Sequence, residues 1–153
     1  MNGGISVRQA VLSDLDALAV LFDAYRQFHK QASDLAGARA FLGARFNHGE
    51  SVLFIAHDGP APLGFAQLYP SFSSVSLSRA FVLNDLYVDA SGRGKGVASK
   101  LLAALEAYAW SFGFARVTLN VARDNLSAQE LYRSRGWTQD EQFHMFHRFP
   151  PSP

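Results

Sequence analysis

The sequence predicts a mixed α/β (α+β) fold: a mostly antiparallel central sheet of about six to seven strands with helices on both faces. Three observations carry this. Apolar residues recur at helical spacing in several separate stretches, such as Leu15, Leu18, Phe22 and Tyr25. Between those stretches lie short runs rich in Val, Phe, Leu and Tyr, the residue types that suit a pleated surface. Finally, a strand, a glycine-rich turn, a helix and another strand follow one another from Ala80 to Val121, an order that implies a parallel, right-handed crossover.

Taken in order, Ile5 to Gln9 reads as a short first strand. Ser13 is placed to cap a helix that begins at Asp14 and buries Leu15, Leu18, Phe22 and Tyr25. Ser33 or Asp34 starts a second helix, Asp34 to Phe46, with Leu35, Ala38, Phe41, Leu42 and Phe46 inward. Val52 to Ala56 and Leu63 to Tyr69 form a hairpin about the turn pair Asp58-Gly59. Ser71 to Ser78 reads as a serine-rich loop, and Ala80 to Val88 as a strong strand. After the turn at Asp89 to Gly96, Val97, Leu101, Leu105, Tyr108 and Phe112 mark a helix that Gly113 ends. Val117 to Val121 is the next strand. Asp124 or Asn125 opens a helix carrying Ala128, Leu131 and Tyr132 on one face, closed by Gly136. Trp137 and the aromatic stretch Phe143 to Phe149 supply the last strands.

Length and composition bound the function. The 153 residues fit one domain, read as residues 1–149 with a Pro-rich tail at 150–153. Hydrophobic residues make up 48% and charged residues 18%, a globular balance. A formal net charge of +1 leaves no electrostatic footprint for non-specific nucleic-acid binding. The chain has no cysteine, which excludes disulfides and thiolate chemistry and fits a reducing compartment. Met1 to Val11 lacks the apolar core of a signal peptide, and no run approaches the roughly 20 apolar residues of a membrane span. The expectation is a soluble, cytoplasmic protein with neither nucleic-acid nor membrane partners. The histidines His29, His48, His57, His144 and His147 show no metal-ligand spacing, so no metal is expected.

Chemistry first shows at Arg93-Gly94-Lys95-Gly96-Val97-Ala98, between a strand and a helix. The first N–H groups of a helix lack intrahelical partners, and glycines let a bulky anion approach them. A phosphate or pyrophosphate is the natural ligand. A Walker A loop fails because Lys95 is followed by Gly96 rather than Ser or Thr. A dinucleotide fingerprint is weak, since its third position falls on Ser99 or Val97. Arg/Gln-x-x-Gly-x-Gly/Ala is satisfied by Arg93, Gly96 and Ala98. A ligand-free tight turn is the competing reading of the loop taken alone.

The second motif lies at Asn125 to Trp137: Asn125, Ala128, Leu131-Tyr132, then Gly136-Trp137. It resembles the second signature of the GNAT superfamily of acetyl-CoA-dependent N-acetyltransferases. The glycine turn is similar to the family's first signature, and Asn84-Asp85-Leu86-Tyr87-Val88 to the strand before it. Tyr69 through Val88 is closest to the branch of polyamine, thialysine and histone-like acetyltransferases. That branch often has Glu-Asp where this chain has Asn84-Asp85, and an amide at Asn84 cannot serve as a base.

The resemblance implies a GNAT-type fold, acetyl-CoA as acyl donor and a small-molecule amine as acceptor, joined by direct attack in a ternary complex. Gly94, Lys95, Gly96, Val97, Ala98 and Ser99 would hold the pyrophosphate, with Arg93 adding charge. It further implies that the backbone of Leu86, Tyr87 and Val88 pairs with pantetheine, and that the Leu86 N–H faces the oxyanion. Tyr132 would be the general acid; on spacing alone it reads as a packed aromatic. Asn125, a helix cap in its own right, would contact pantetheine, with Ser127 and Ala128 lining the cleft. Asp85 is the nearest acid for the amine, as base, cation ligand or structural group, and a water chain is the alternative base. Side chains alternate along a strand, so Asn84 and Asp85 point to opposite faces unless a bulge intervenes. Tyr25 and Asn84 stand on the acceptor side, with Phe28 and Tyr69 as wall residues. A catalytically silent acyl-CoA-binding module, a protein or peptide acetyltransferase and an antibiotic-modifying enzyme stay open. A homodimer is expected, with Phe143-His144-Met145-Phe146 buried in the sheet or exchanged between chains.

Overall fold

In a computed structural model, residues 4–153 are described. Met1 to Gly3, the start of the segment read above for a leader, lie outside the described residues. The described chain divides into two compact units, one ending at Asn120 and one beginning at Val121.

The first unit holds a mixed sheet of five strands in the order of the chain. They are β1 (Ile5–Gln9), β2 (Val52–Asp58), β3 (Ala61–Ser73), β4 (Ser78–Val88) and β5 (Val117–Leu119). The pairs β1–β2, β2–β3 and β3–β4 are antiparallel, and β4–β5 is parallel, as the crossover requires. Helices α1 (Leu15–Phe28) and α2 (Leu35–His48) precede β2, and α3 (Val97–Ser111) links β4 to β5.

Strand alternation explains why helices cover both faces. On β2, Leu53 and Ile55 join Leu18, Leu21, Phe22 and Leu42 of α1 and α2 in one core. Phe54, between them, turns the other way and meets Tyr108 of α3 at 5.6 Å between ring centroids. Both faces of β2 and β3 are covered, so their sequences run nearly continuously apolar rather than alternating. Leu101, Leu102 and Leu105 of α3 are fully buried, each contributing about 1.5–3 kcal/mol of transfer free energy.

Local details depart from the expectations where tertiary partners intervene. Ser13 does not cap α1; it lies in a 3-10 turn, Leu12–Asp14. The Asp14 carboxylate accepts the Val11 N–H at 2.8 Å and is gripped by both Arg8 terminal nitrogens. Asp34 caps α2 by accepting the Gly37 N–H, as expected. Leu35 and Phe41 are nonetheless exposed, because α2 is covered chiefly along Ala38 and Leu42. Phe112, beyond the end of α3, is exposed as well. The serine-rich segment is half strand: the hairpin continues to Ser73 paired with Ser78, leaving the expected loop as a turn at residues 74–77.

The second unit carries helix α4 (Leu126–Ser134). Gly136 follows it at φ +91, the left-handed region glycine favours. The expected last strands are absent: no strand follows β5 among the described residues, and the sheet has five strands rather than six or seven. Phe143, Met145 and Phe146 are exposed. Their apolar character favours a strand, but a strand exists only through a neighbour's backbone, and this stretch pairs with none among the described residues.

Candidate functional site

The centre of interest in the first unit is a bulge in β4. Gln67 pairs with Asp85 and Leu68 with Leu83, so Asn84 is the extra residue. One extra residue resets the alternation of a strand. Phe81, before the bulge, packs toward α3, 6.0 Å from the Tyr108 ring. Tyr87, after it, packs on the opposite face, 6.1 Å from Tyr25 of α1. Asp85 shares that second phase. Asn84 and Asp85 therefore do not point apart: Asn84 Nδ2 donates to Asp85 Oδ1 at 3.0 Å.

Asp85 is buried, and its other oxygen accepts from Gln67 Nε2 at 2.6 Å. This contact joins the Gln67 amide to the Asp85 carboxyl group across the paired strands. The Gln67 Oε1 is buried, and the Gln67 side chain also has a hydrogen-bonding interaction with the Tyr69 hydroxyl. Two residues on, burial and the Asp85 charge push the Tyr69 phenol up to about 12. Tyr25 reaches the bulge from α1, its hydroxyl donating to the Asn84 carbonyl at 3.4 Å. Its ring also lies 4.6 Å from His29 and 5.8 Å from Phe65. Of this cluster, sequence reasoning named Tyr25, Phe28, Tyr69, Asn84 and Asp85 but missed Gln67. The available signal was a lone amide in the run Leu63-Gly64-Phe65-Ala66-Gln67-Leu68.

The other edge of β4 is open. β5 pairs only with Phe81, Val82 and Leu83, so Leu86, Tyr87 and Val88 face no paired strand on that side. Arg93 Nε donates to the Val88 carbonyl at 3.1 Å, holding the turn against the strand end. Gly94 and Gly96 both take left-handed φ, at +76 and +75. Gly96 is the N-cap of α3 and offers no capping side chain. A Cβ placed at either glycine would meet nothing within 4 Å. Gly92 differs: a Cβ there would press on Leu63 and Val88 at 3.1 and 3.2 Å, a packing demand rather than a binding one. Lys95 is exposed in the turn, Val97 is buried under it, and Ala98 and Ser99 are half-buried.

In the second unit Asn125 caps α4, its Oδ1 accepting the Ala128 N–H at 3.3 Å and the Ser127 hydroxyl at 3.4 Å. The spacing Asn125, Ser127, Ala128 is thus a capping geometry in its own right. Tyr132 is half-buried, its ring 5.9 Å from Trp137, and burial raises its phenol above the ordinary value. A phenol shifted that way holds its proton at neutral pH and stays a donor. Among the described residues no group of three or more His, Asp or Glu side chains is arranged to hold a metal ion. No helix among them is long and apolar enough to cross a membrane.

Comparison with known proteins gives the family. Residues 17–137 match the model of the Acetyltransferase (GNAT) family. The chain is 46% identical over 139 residues to an uncharacterized N-acetyltransferase, YhfO, of Bacillus subtilis (strain 168), covering 91% of this chain and 93% of that protein. It is 32% identical over 91 residues to the thialysine N-epsilon-acetyltransferase of Bos taurus, covering 58% and 53%. A solved structure of a probable acetyltransferase superposes with a TM-score of 0.89 at 39% identity, covering 97% of this chain and 99% of that one. This chain belongs to the GNAT family of acetyltransferases, and is an acyltransferase.

Proposed function

We propose that the protein moves the acetyl group of acetyl-CoA onto a small primary amine by direct attack within a ternary complex. The observation that carries this is the open turn at Gly94 and Gly96 before an uncapped helix, beside a strand edge left unpaired beyond Leu83. Backbone N–H groups at an uncapped helix start fit a pyrophosphate. Gly94 to Ser99 take the pyrophosphate in this reading, with Arg93 and Lys95 adding charge. The unpaired backbone of Leu86 to Val88 takes the amide-bearing arm, as one strand takes another. The family resemblance adds Asn125, Ser127 and Ala128 as contacts for the pantetheine arm.

The amine nitrogen attacks the thioester carbonyl carbon, and the carbon–sulfur bond breaks as the tetrahedral intermediate collapses. The Leu86 N–H donates to the oxyanion. Tyr132 gives its proton to the leaving thiolate, and burial suits it to do so by keeping that proton in place at neutral pH. The amine arrives as an ammonium and sheds one proton through water before attack; its second proton leaves as the intermediate collapses and, through water, restores the Tyr132 phenol. Asp85, with Asn84 and Gln67 on its two oxygens, draws the cation in. The bovine relative named for thialysine supports a small acceptor.

Three further elements belong to this reading. Residues 1–149 act as one catalytic domain with 150–153 as a tail. The cysteine-free chain works in the cytoplasm. Two copies associate through the exposed Phe143, Met145 and Phe146, which sedimentation at micromolar concentration tests.

The chemical step is tested by following thiol release from acetyl-CoA over a panel of amines, with Tyr132→Phe alongside. Loss of a general acid is expected to lower kcat by about a hundredfold or more. Unchanged kcat in the variant removes Tyr132 from the mechanism. Failure of the wild-type protein to bind acetyl-CoA overturns the whole reading.

A further inference from the structure

We propose that Gly64 on β3, a residue with no side chain to offer a ligand, is a positioning residue for coenzyme A. It sets the spacing between the turn at Gly94 to Ser99 and the strand edge at Leu86 to Val88. The inference rests on the acetyl-CoA reading above and adds what holds the two halves of that site in register.

Gly64 lies opposite Val88 in the β3–β4 ladder. A Cβ there would stand 2.6 Å from the Tyr87 carbonyl oxygen, 3.3 Å from Val88 Cα and 3.4 Å from Val97 Cγ1. The Gly64 φ lies outside the left-handed region, so the close approach calls for glycine and the dihedral does not. The Tyr87 oxygen and Val88 Cα are backbone atoms, which cannot turn aside as a side chain does. The contacts reach both halves of the proposed site. Tyr87 and Val88 belong to the open edge, and Val97 opens α3 directly after Gly96.

The neighbouring contacts extend this touch into a brace. The Asp89 N–H donates to the Leu63 carbonyl at 2.8 Å. A Cβ at Gly92 would press on Leu63 Cβ at 3.1 Å and on Val88 Cγ1 at 3.2 Å. Arg93 Nε closes the turn on the Val88 carbonyl. Val97 is 1% exposed, packed down beside Gly64. Leu63 and Gly64 thus meet the end of β4, the turn and the start of α3. A strand that holds neither half of the site fixes the distance between them.

Spacing matters because coenzyme A is one molecule on two subsites. Joining two weak contacts gains affinity only when the tether matches the span. A pyrophosphate held at the turn carries any error in that span along the arm to the thioester carbon. A misplacement of about 1 Å there costs about a hundredfold in rate.

Gly64→Ala drives the Tyr87 carbonyl and Val97 away from β3, and competition calorimetry with coenzyme A, ADP and pantetheine reads the result. Coenzyme A is expected to bind about tenfold weaker, while ADP and pantetheine, each using one half, stay within about twofold of wild type. Ile55→Val, a core truncation on β2, supplies a comparable loss of stability and should bind all these probes as wild type does. Gly92→Ala presses the same segments apart through side-chain atoms, and carries the test at a smaller displacement should Gly64→Ala not fold. Unchanged coenzyme A affinity in the glycine variants overturns the inference. So do losses for ADP or pantetheine as large as for coenzyme A, or an equal loss in Ile55→Val. Wild-type protein that binds none of these probes overturns the acetyl-CoA reading itself.

Discussion

Gly96→Ala separates backbone strain from ligand exclusion, because the fold supplies its own control. Gly96 sits at φ +75 and Gly49, the C-cap of α2, at φ +62. A Cβ at either would meet nothing within 4 Å, so neither variant creates a clash inside the protein. Each forces alanine into the left-handed region, at a cost of roughly 1–2 kcal/mol, partly offset by the lower entropy of the unfolded variant. For a chain of this length a net loss of about 1 kcal/mol lowers Tm by about 2–4 °C in both. The variants should part in ligand affinity. If the proposed pyrophosphate assignment holds, a methyl group at Gly96 obstructs the approach of phosphate oxygens to the first N–H groups of α3. Losing one charge-assisted hydrogen bond costs about 1.5–3 kcal/mol, which is about ten- to a hundredfold in Kd. Gly49→Ala should leave Kd unchanged. The assay is calorimetric titration with acetyl-CoA alongside thermal melts of both variants. Equal affinities in Gly96→Ala, Gly49→Ala and wild type would refute the assignment of the pyrophosphate to this turn.

Two predictions concern titration. Tyr69 is neutral when protonated, and its phenol is held at about 12 against an unperturbed 10.0. The stability it contributes is present below pH 10 and lost as pH rises from about 10 to about 12. Alkaline unfolding curves of wild type and Tyr69→Phe should therefore diverge in that window, and coincident curves contradict the burial argument. The hydrogen bonds from Arg8 hold the Asp14 carboxyl below its ordinary value. That contribution is present at neutral pH and lost as pH falls through the depressed pKa. Arg8→Ala should flatten the acid limb of the stability profile relative to wild type, which melts at a series of acidic pH values will show.

What was legible in the sequence follows from the range of the interactions. Leu15, Leu18 and Phe22 announce α1, because a helix face is written in residues three and four apart. Asp34 and Asn125 announce their helices, because a cap acts within three residues. Gly94 and Gly96 could be placed because a glycine turn between strand and helix is local as well. The hairpin arm at Ser71 to Ser78 was hidden because its side chains are largely polar or exposed and carry no inward alternation. Its strand character comes from the β3–β4 ladder, which also sets the Arg79 guanidinium 5.6 Å from the Phe72 ring centroid. The C-terminal aromatics misled in the opposite direction, with residue types that suit a strand and no neighbour to pair with. Gln67 was missed because its significance depends on the residue opposite it, and that pairing spans 18 positions.

The bulge at Asn84 bears most directly on how this chain differs from the branch it resembles. Without an extra residue, Phe81, Leu83, Asp85 and Tyr87 would share one face, and the carboxylate would point into the apolar packing under α3. With it, Phe81 stays against Tyr108 while Asp85 and Tyr87 turn toward Tyr25. The residue that makes the reversal is itself the one whose acid is replaced here by an amide. Asn84 gives up any role as a base and instead donates to Asp85, on the oxygen that Gln67 does not occupy. A glutamate there would set a second negative charge beside Asp85 and remove that donor, a repulsion the present pair avoids. With an amide at Asn84, the strand carries a single buried carboxyl group held on its two oxygens by two amides, Asn84 and Gln67.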